Sequence, residues 1–176
     1  MRSDIVQNMF KTRQTCMLMK VAKVFRWEGA HRLPWHEGGC QNLHGHSYRM
    51  VVEVEGEPDE RGMVIDFQAI KTVLNPLVQA WDHAVLVADD DTELRQAMEL
   101  LGTRHFILPF DSTSENLCTF VIDYLCRQGY DTLARHHVTT VRVRVQETET
   151  CYAELERPVA AYARENGAVQ EENGRP

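Results

Sequence analysis

The 176-residue chain contains no apolar run approaching the ~18 residues that a membrane-spanning helix requires, which argues against a helical membrane protein. It also has no Cys-x-x-Cys knuckle, the usual means by which a structural zinc site closes its fourth position. The five cysteines, at 16, 40, 118, 126 and 151, are odd in number and irregularly spaced, so no disulfide framework is expected. No N-terminal stretch joins a basic region to an apolar segment long enough for export, and a reducing cytoplasm is the expected compartment. The nineteen basic residues are scattered over a chain of formal net charge -7, leaving no patch to drive nucleic-acid binding by counterion release. An anionic small molecule stays open, because a few arginines in a pocket can hold a phosphate on an acidic protein.

What the chain does have is enough apolar content, 43%, for one globular domain with its own core. Residues 1–19 lack a clear period and read as a peripheral extension. Residues 20–163 carry the domain, and the polar stretch 164–176 reads as a mobile tail. Two long alternating strands are expected at 20–31 and 44–56, then a turn over 57–62 and a short extended piece at Met63–Ile65. Asp66 has the chemistry of an N-cap for a helix carrying Phe67, Ile70, Val73, Leu74, Leu77, Val78 and Trp81 on one face, which Pro76 should kink or divide. A second helix is expected over Thr92–Leu101, stopping at Gly102. A third follows the capping-box-like Ser112-Thr113-Ser114-Glu115 and ends at Gly129, and strands follow at 138–148 and 151–155. Two hairpin-like strand pairs with helices between them indicate an α+β fold with an antiparallel sheet.

The densest chemistry lies in Cys40-Gln41-Asn42-Leu43-His44-Gly45-His46, with His31 upstream. Side chains two apart on a strand share a face, so His44 and His46 continue the inward row of Tyr48, Met50, Val52 and Val54. His31 likewise ends the row of Val21, Phe25 and Trp27. If the two strands pair antiparallel, three imidazoles converge, and three nitrogen ligands leave a fourth zinc position free, the arrangement of a catalytic site. Single buried histidines are more often core residues with a satisfied hydrogen bond, and spacing alone also leaves Cys40 open as a fourth ligand.

Glu147 ends a row of three valines, Val141, Val143 and Val145. An ionised carboxylate there is costly unless it meets a cation or a set of donors. Two readings remain: an ion pair with an arginine, or a carboxylate awaiting a ligand edge with two adjacent N–H groups.

These residues together resemble the 6-pyruvoyl-tetrahydropterin synthase and 6-carboxytetrahydropterin synthase family. The resemblance runs over about residues 21–155, through Gly29-Ala30-His31-Arg32-Leu33, Cys40 to Tyr48, Gly62 to Phe67, Asp82-His83, Thr113-Ser114-Glu115-Asn116 and Val145-Gln146-Glu147-Thr148. It implies the tunnelling fold: a four-stranded antiparallel sheet with helices packed on one face, three chains closing their sheets into a barrel, and trimers commonly stacked as hexamers. It also implies zinc on His31, His44 and His46, a catalytic Cys40, a partner dyad Asp82 and His83, a pterin-anchoring Glu147, and Thr113, Ser114 and Glu115 beside the pterin pocket.

The Cys-x3-His-x-His spacing is similar to the carboxy-forming branch of the family, that of the queuosine (7-deazaguanine) pathway. The implied reaction turns 7,8-dihydroneopterin triphosphate into 6-carboxy-5,6,7,8-tetrahydropterin, releasing acetaldehyde and triphosphate. The rivals are a 6-pyruvoyl-tetrahydropterin synthase and a non-catalytic zinc or pterin-binding module. The segment 84–110 is longer than in the compact members, and Ala84-Val85-Leu86-Val87 lacks their polar residues, so it is expected to reshape the pocket or an oligomer contact.

Overall fold

A computed structural model describes residues 17–163. The expected tail, and all but the last three residues of the expected N-terminal extension, lie outside the described residues. Six strands and four α-helices follow in the order β1 (Met19–His31), β2 (His44–Gly56), α1 (Phe67–Trp81), β3 (Ala84–Ala88), α2 (Thr92–Leu101), β4 (His105–Leu108), α3 (Ser114–Gln128), α4 (Tyr130–Arg135), β5 (Val138–Gln146) and β6 (Tyr152–Pro158).

The sheet order is β4-β3-β1-β2-β5-β6. Its β1-β2-β5-β6 part is the expected four-stranded antiparallel sheet. The expected strand count needs correction, because 84–110 adds two strands in parallel. β3 joins β1 over only Gly29↔Ala84 and Ala30↔Val85, and β4 then pairs with β3 from Val85↔His105 to Ala88↔Leu108. The reason is local composition: all five β3 residues are buried, and an apolar run without alternation suits a parallel strand covered on both faces.

One face of the antiparallel strands carries the core. Phe25 and Trp27 from β1, Tyr48, Met50, Val52 and Val54 from β2, and Val141, Val143 and Val145 from β5 pack under Ile70, Leu74, Leu77, Val78 and Trp81 of α1 and Leu117, Val121, Ile122 and Leu125 of α3. On β3 the faces divide: Leu86 joins this core, while Val85 and Val87 pack with Leu94 and Met98 of α2. Thus α1 and α3 share one face of the sheet, and α2 covers the other at its β3 edge.

Asp66 caps α1, its carboxylate accepting from the Gln68 N–H at 2.8 Å. Pro76 does not divide α1, which runs through it as one helix. Buried Leu74, Leu77 and Val78 on either side of the proline supply packing that outweighs the missing N–H donor. Phe67, expected on the buried face, is exposed at the first turn, and Met63–Ile65 forms no strand. Gly102 ends α2 in the left-handed region at φ 63°, where a side chain would be strained.

Candidate metal and ligand site

The β1–β2 hairpin sets His31 directly opposite His44 and Gly29 opposite His46. The same pairing that aligns the apolar rows therefore gathers the imidazoles at the end of both. Ring centroids lie 4.6 Å apart for His31–His44, 4.7 Å for His44–His46 and 5.2 Å for His31–His46. One ring nitrogen from each comes within 4.8 Å of the others, a span that a single ion can bridge.

The orientation of two rings is fixed from behind. His31 Nδ1 lies 3.1 Å from both the Ser112 carbonyl and the Ser112 Oγ, and His44 Nδ1 lies 2.8 Å from the Asn42 carbonyl. A ring N–H donated to a carbonyl leaves Nε2 as the lone-pair nitrogen, the tautomer a metal ligand needs. His31 is 1% exposed, and its Nε2 is buried without a hydrogen-bond partner. Burial, and then the proximity of His44 and His46, lowers its pKa to about 4, and burial lowers that of His46 as well. An orphaned buried nitrogen within a three-imidazole set fits a divalent metal that favours nitrogen donors, zinc among them.

The structure places the other predicted residues at differing removes. Cys40 sits half-buried on a 3-10 turn, Gly39–Gln41, in the loop between β1 and β2; Leu33 N–H donates to its carbonyl at 2.8 Å. Its thiol is not part of the nitrogen cluster. Glu147 follows the end of β5, its N–H donating to the Cys151 carbonyl at 3.2 Å. It forms no ion pair among the described residues, and its charge acts on both His46 and Tyr48.

Asp82 and His83 lie just beyond α1. Asp82 Oδ1 accepts from the Glu28 N–H at 3.0 Å and lies 3.0 Å from His83 Nδ1, and the two contacts hold its carboxyl below the usual range. His83 adopts φ 56°, uncommon for a residue with a side chain, while its N–H donates to the Glu28 carbonyl at 2.6 Å. His83 and His46 line one open groove with Glu28, Ala30 and Ser47. No hydrogen bond joins His83 to Cys40 within the described chain.

The expected Thr113-Ser114-Glu115 segment forms the start of α3. Thr113 is the N-cap, accepting from the Asn116 N–H at 3.2 Å, so the position that completes a capping box is Asn116 and not Glu115. Glu115 is exposed in the first turn. Ser112, read only as part of the cap, is the residue that reaches the imidazoles. It was not singled out because a serine before a helix gives no sign of what lies 81 residues upstream. Arg32 was also missed: its guanidinium grips Asp91 at 2.7 and 2.5 Å, while Asp91 caps α2 through the Leu94 N–H at 3.1 Å. The 84–110 segment is thereby tied to the residue after His31.

The fold and the site define an α+β protein whose antiparallel sheet carries an open three-histidine centre at one end. A model of the 6-pyruvoyl tetrahydropterin synthase family matches residues 20–158, and the chain belongs to this family of enzymes. It is 32% identical to the 6-carboxy-5,6,7,8-tetrahydropterin synthase of Aquifex aeolicus over 78% of this chain and 98% of that one. It is 29% identical to the enzyme of the same name from Haemophilus influenzae, over 79% of this chain and 99% of that one. Among solved structures, 6-pyruvoyl tetrahydropterin synthase from Plasmodium falciparum superimposes with a TM-score of 0.64 at 19% identity, covering 80% of this chain and 98% of that one, a likeness of fold. Among the described residues no helix is long and apolar enough to cross a membrane.

Proposed function

We propose that this protein converts 7,8-dihydroneopterin triphosphate into 6-carboxy-5,6,7,8-tetrahydropterin, with release of acetaldehyde and triphosphate, as a step toward queuosine in the cytoplasm. The observation that carries the proposal is the three-imidazole cluster with the orphaned His31 Nε2, set in a chain of this family beside Glu147 and Cys40.

His31, His44 and His46 are the residues that would hold zinc. When bound, the ion supplies Lewis acidity toward the oxygens of the substrate side chain. Glu147 accepts the two adjacent N–H groups of the pterin edge, which orients the ring and aims its side chain at the imidazoles. Cys40, on the loop bordering this face, removes a proton from the substrate side chain as thiolate. His83, held by Asp82, exchanges protons at the other side of that chain. Thr113, Ser114 and Glu115 border the pocket, where the firm start of α3 keeps Ser112 against His31.

The dyad opens on the groove side of the sheet, while Cys40 belongs to the loop, so a site assembled between copies of the chain accommodates both. A trimer, alone or stacked as a hexamer, is the assembly proposed. Residues 20–163 form the catalytic domain in this reading. Mass-spectrometric analysis of products from zinc-loaded protein and 7,8-dihydroneopterin triphosphate tests the proposal. 6-Carboxytetrahydropterin with acetaldehyde supports it, a pyruvoyl product moves the chain to the sister activity, and unchanged substrate overturns it.

A further inference from the structure

Tyr48 is a buried polar group that the scheme above leaves unused. It is 1% exposed, and its hydroxyl is enclosed without a hydrogen-bond partner. The ring cannot easily move to find one. It stacks on Trp27 at 4.9 Å with an interplanar angle of 7°, and His46 meets it edge-on at 5.4 Å. A fixed orphan donor is satisfied when an acceptor comes to it.

The sheet register indicates which acceptor. β2 and β5 pair through Met50↔Val145 and Arg49↔Gln146. The pairing ends there, with Glu147 in the bend one residue on; the same register carried one step further would turn it toward Tyr48, on the inward side of the Met50–Val145 pair. Glu147 is half-buried beyond the strand end and has no ion pair among the described residues. It is one of two ionisable groups whose charge acts on the Tyr48 hydroxyl; Cys40 is the other.

We propose that Tyr48 is a positioning residue: its hydroxyl, unpartnered in the ligand-free chain, donates a hydrogen bond to the Glu147 carboxylate when that side chain turns to the ligand, and fixes its orientation there. The inference rests on the reading of Glu147 as the anchor of the pterin edge. A carboxylate offers about four lone-pair sites, so Glu147 accepts from Tyr48 and still presents both oxygens to two adjacent N–H groups. A donor left unmatched without ligand and matched with it adds its bond to the bound state alone.

A double-mutant cycle of Tyr48→Phe and Glu147→Gln tests this, since Tyr48→Phe keeps the ring stacked on Trp27. Three quantities are measured: the dissociation constant for neopterin, zinc per chain, and the urea midpoint without ligand. Tyr48→Phe is expected to weaken neopterin binding about tenfold with zinc content unchanged, and to add no further loss in the Glu147→Gln background. The urea midpoints without ligand are expected to be additive, because the bond forms only in the ligand-bound state. Independent losses of neopterin affinity would overturn the inference, as would coupling of Tyr48→Phe to Cys40→Ala in place of Glu147→Gln. Failure of the unmodified protein to bind neopterin would overturn the pterin reading itself, whereas neopterin binding without Tyr48–Glu147 coupling would overturn this inference alone.

Discussion

On the β6 side of the sheet, β2 and β5 alternate buried and part-exposed residues along most of their length, whereas on the β4 side all five residues of β3 are buried. The antiparallel half presents one face to α1 and α3 and the other to charged pairs such as Arg144–Glu154, 2.7 Å apart. The β3–β4 half is covered on both faces, by the main core and by the small Val85, Val87, Leu94 and Met98 cluster. The imidazoles stand where the two halves meet, because β3 joins β1 only at Gly29 and Ala30, immediately before His31. The antiparallel half therefore supplies the three imidazoles, and the β3–β4 half braces the strand end that carries His31.

The widest separation between the halves should come from His44→Ala. It removes a nitrogen of the cluster, so metal content measured by mass spectrometry and turnover should both be lost, while Cys40→Ala should lose turnover and keep the metal. Loss of metal from Cys40→Ala would make the thiol a ligand and remove its acid–base role.

Core truncation should then rank the two halves by stability. Leu74→Ala, at a fully buried position under the antiparallel strands, should cost about 3–5 kcal/mol in urea unfolding. Leu94→Ala, in the small cluster at the sheet edge where α2 can settle onto the gap, should fall near 2 kcal/mol. Equal costs would show that the 84–110 unit is as integral to folding as the rest.

Acid should act on the shared end. The unfolded chain protonates His31 near its ordinary 6.5 and the folded chain only near 4, so between these values the unfolded state binds more protons. The contribution of neutral His31 is complete above pH 6.5, declines as pH falls, and is gone by about pH 4, on the order of 3 kcal/mol over the window. Urea midpoints of the metal-free protein across that range measure it; His31→Gln should flatten the profile.

The smallest effect belongs to Ser112→Ala. The Ser112 carbonyl still accepts from His31 Nδ1 when the hydroxyl is gone, so metal affinity in a competition titration should fall by about tenfold or less.

Much of the antiparallel half could be read from residue order. Alternation places Tyr48, Met50, Val52 and Val54 in the core, and Asp66 with the helical spacing behind it marks α1. Within 84–110 the helix Thr92–Leu101 and its stop at Gly102 could be read in this way, but β3 could not, because a five-residue apolar run has no period to distinguish a doubly covered strand from a piece of buried helix. The short helix α4, which begins directly after Gly129, buries only Leu133 over six residues, too few positions for a helical period to show.

The sequence by itself determined that His31, His44 and His46 end inward rows and that Glu147 ends another, because strand periodicity is a local property of the backbone. Tertiary structure alone decided that Ser112 and Asn42 orient the imidazoles, that Arg32 clamps Asp91, and that the Tyr48 hydroxyl is enclosed with no partner. Each of these depends on register and packing between segments distant in the chain or on the path of a loop, and no local pattern of residue types encodes where a hydrogen bond across such a gap will land.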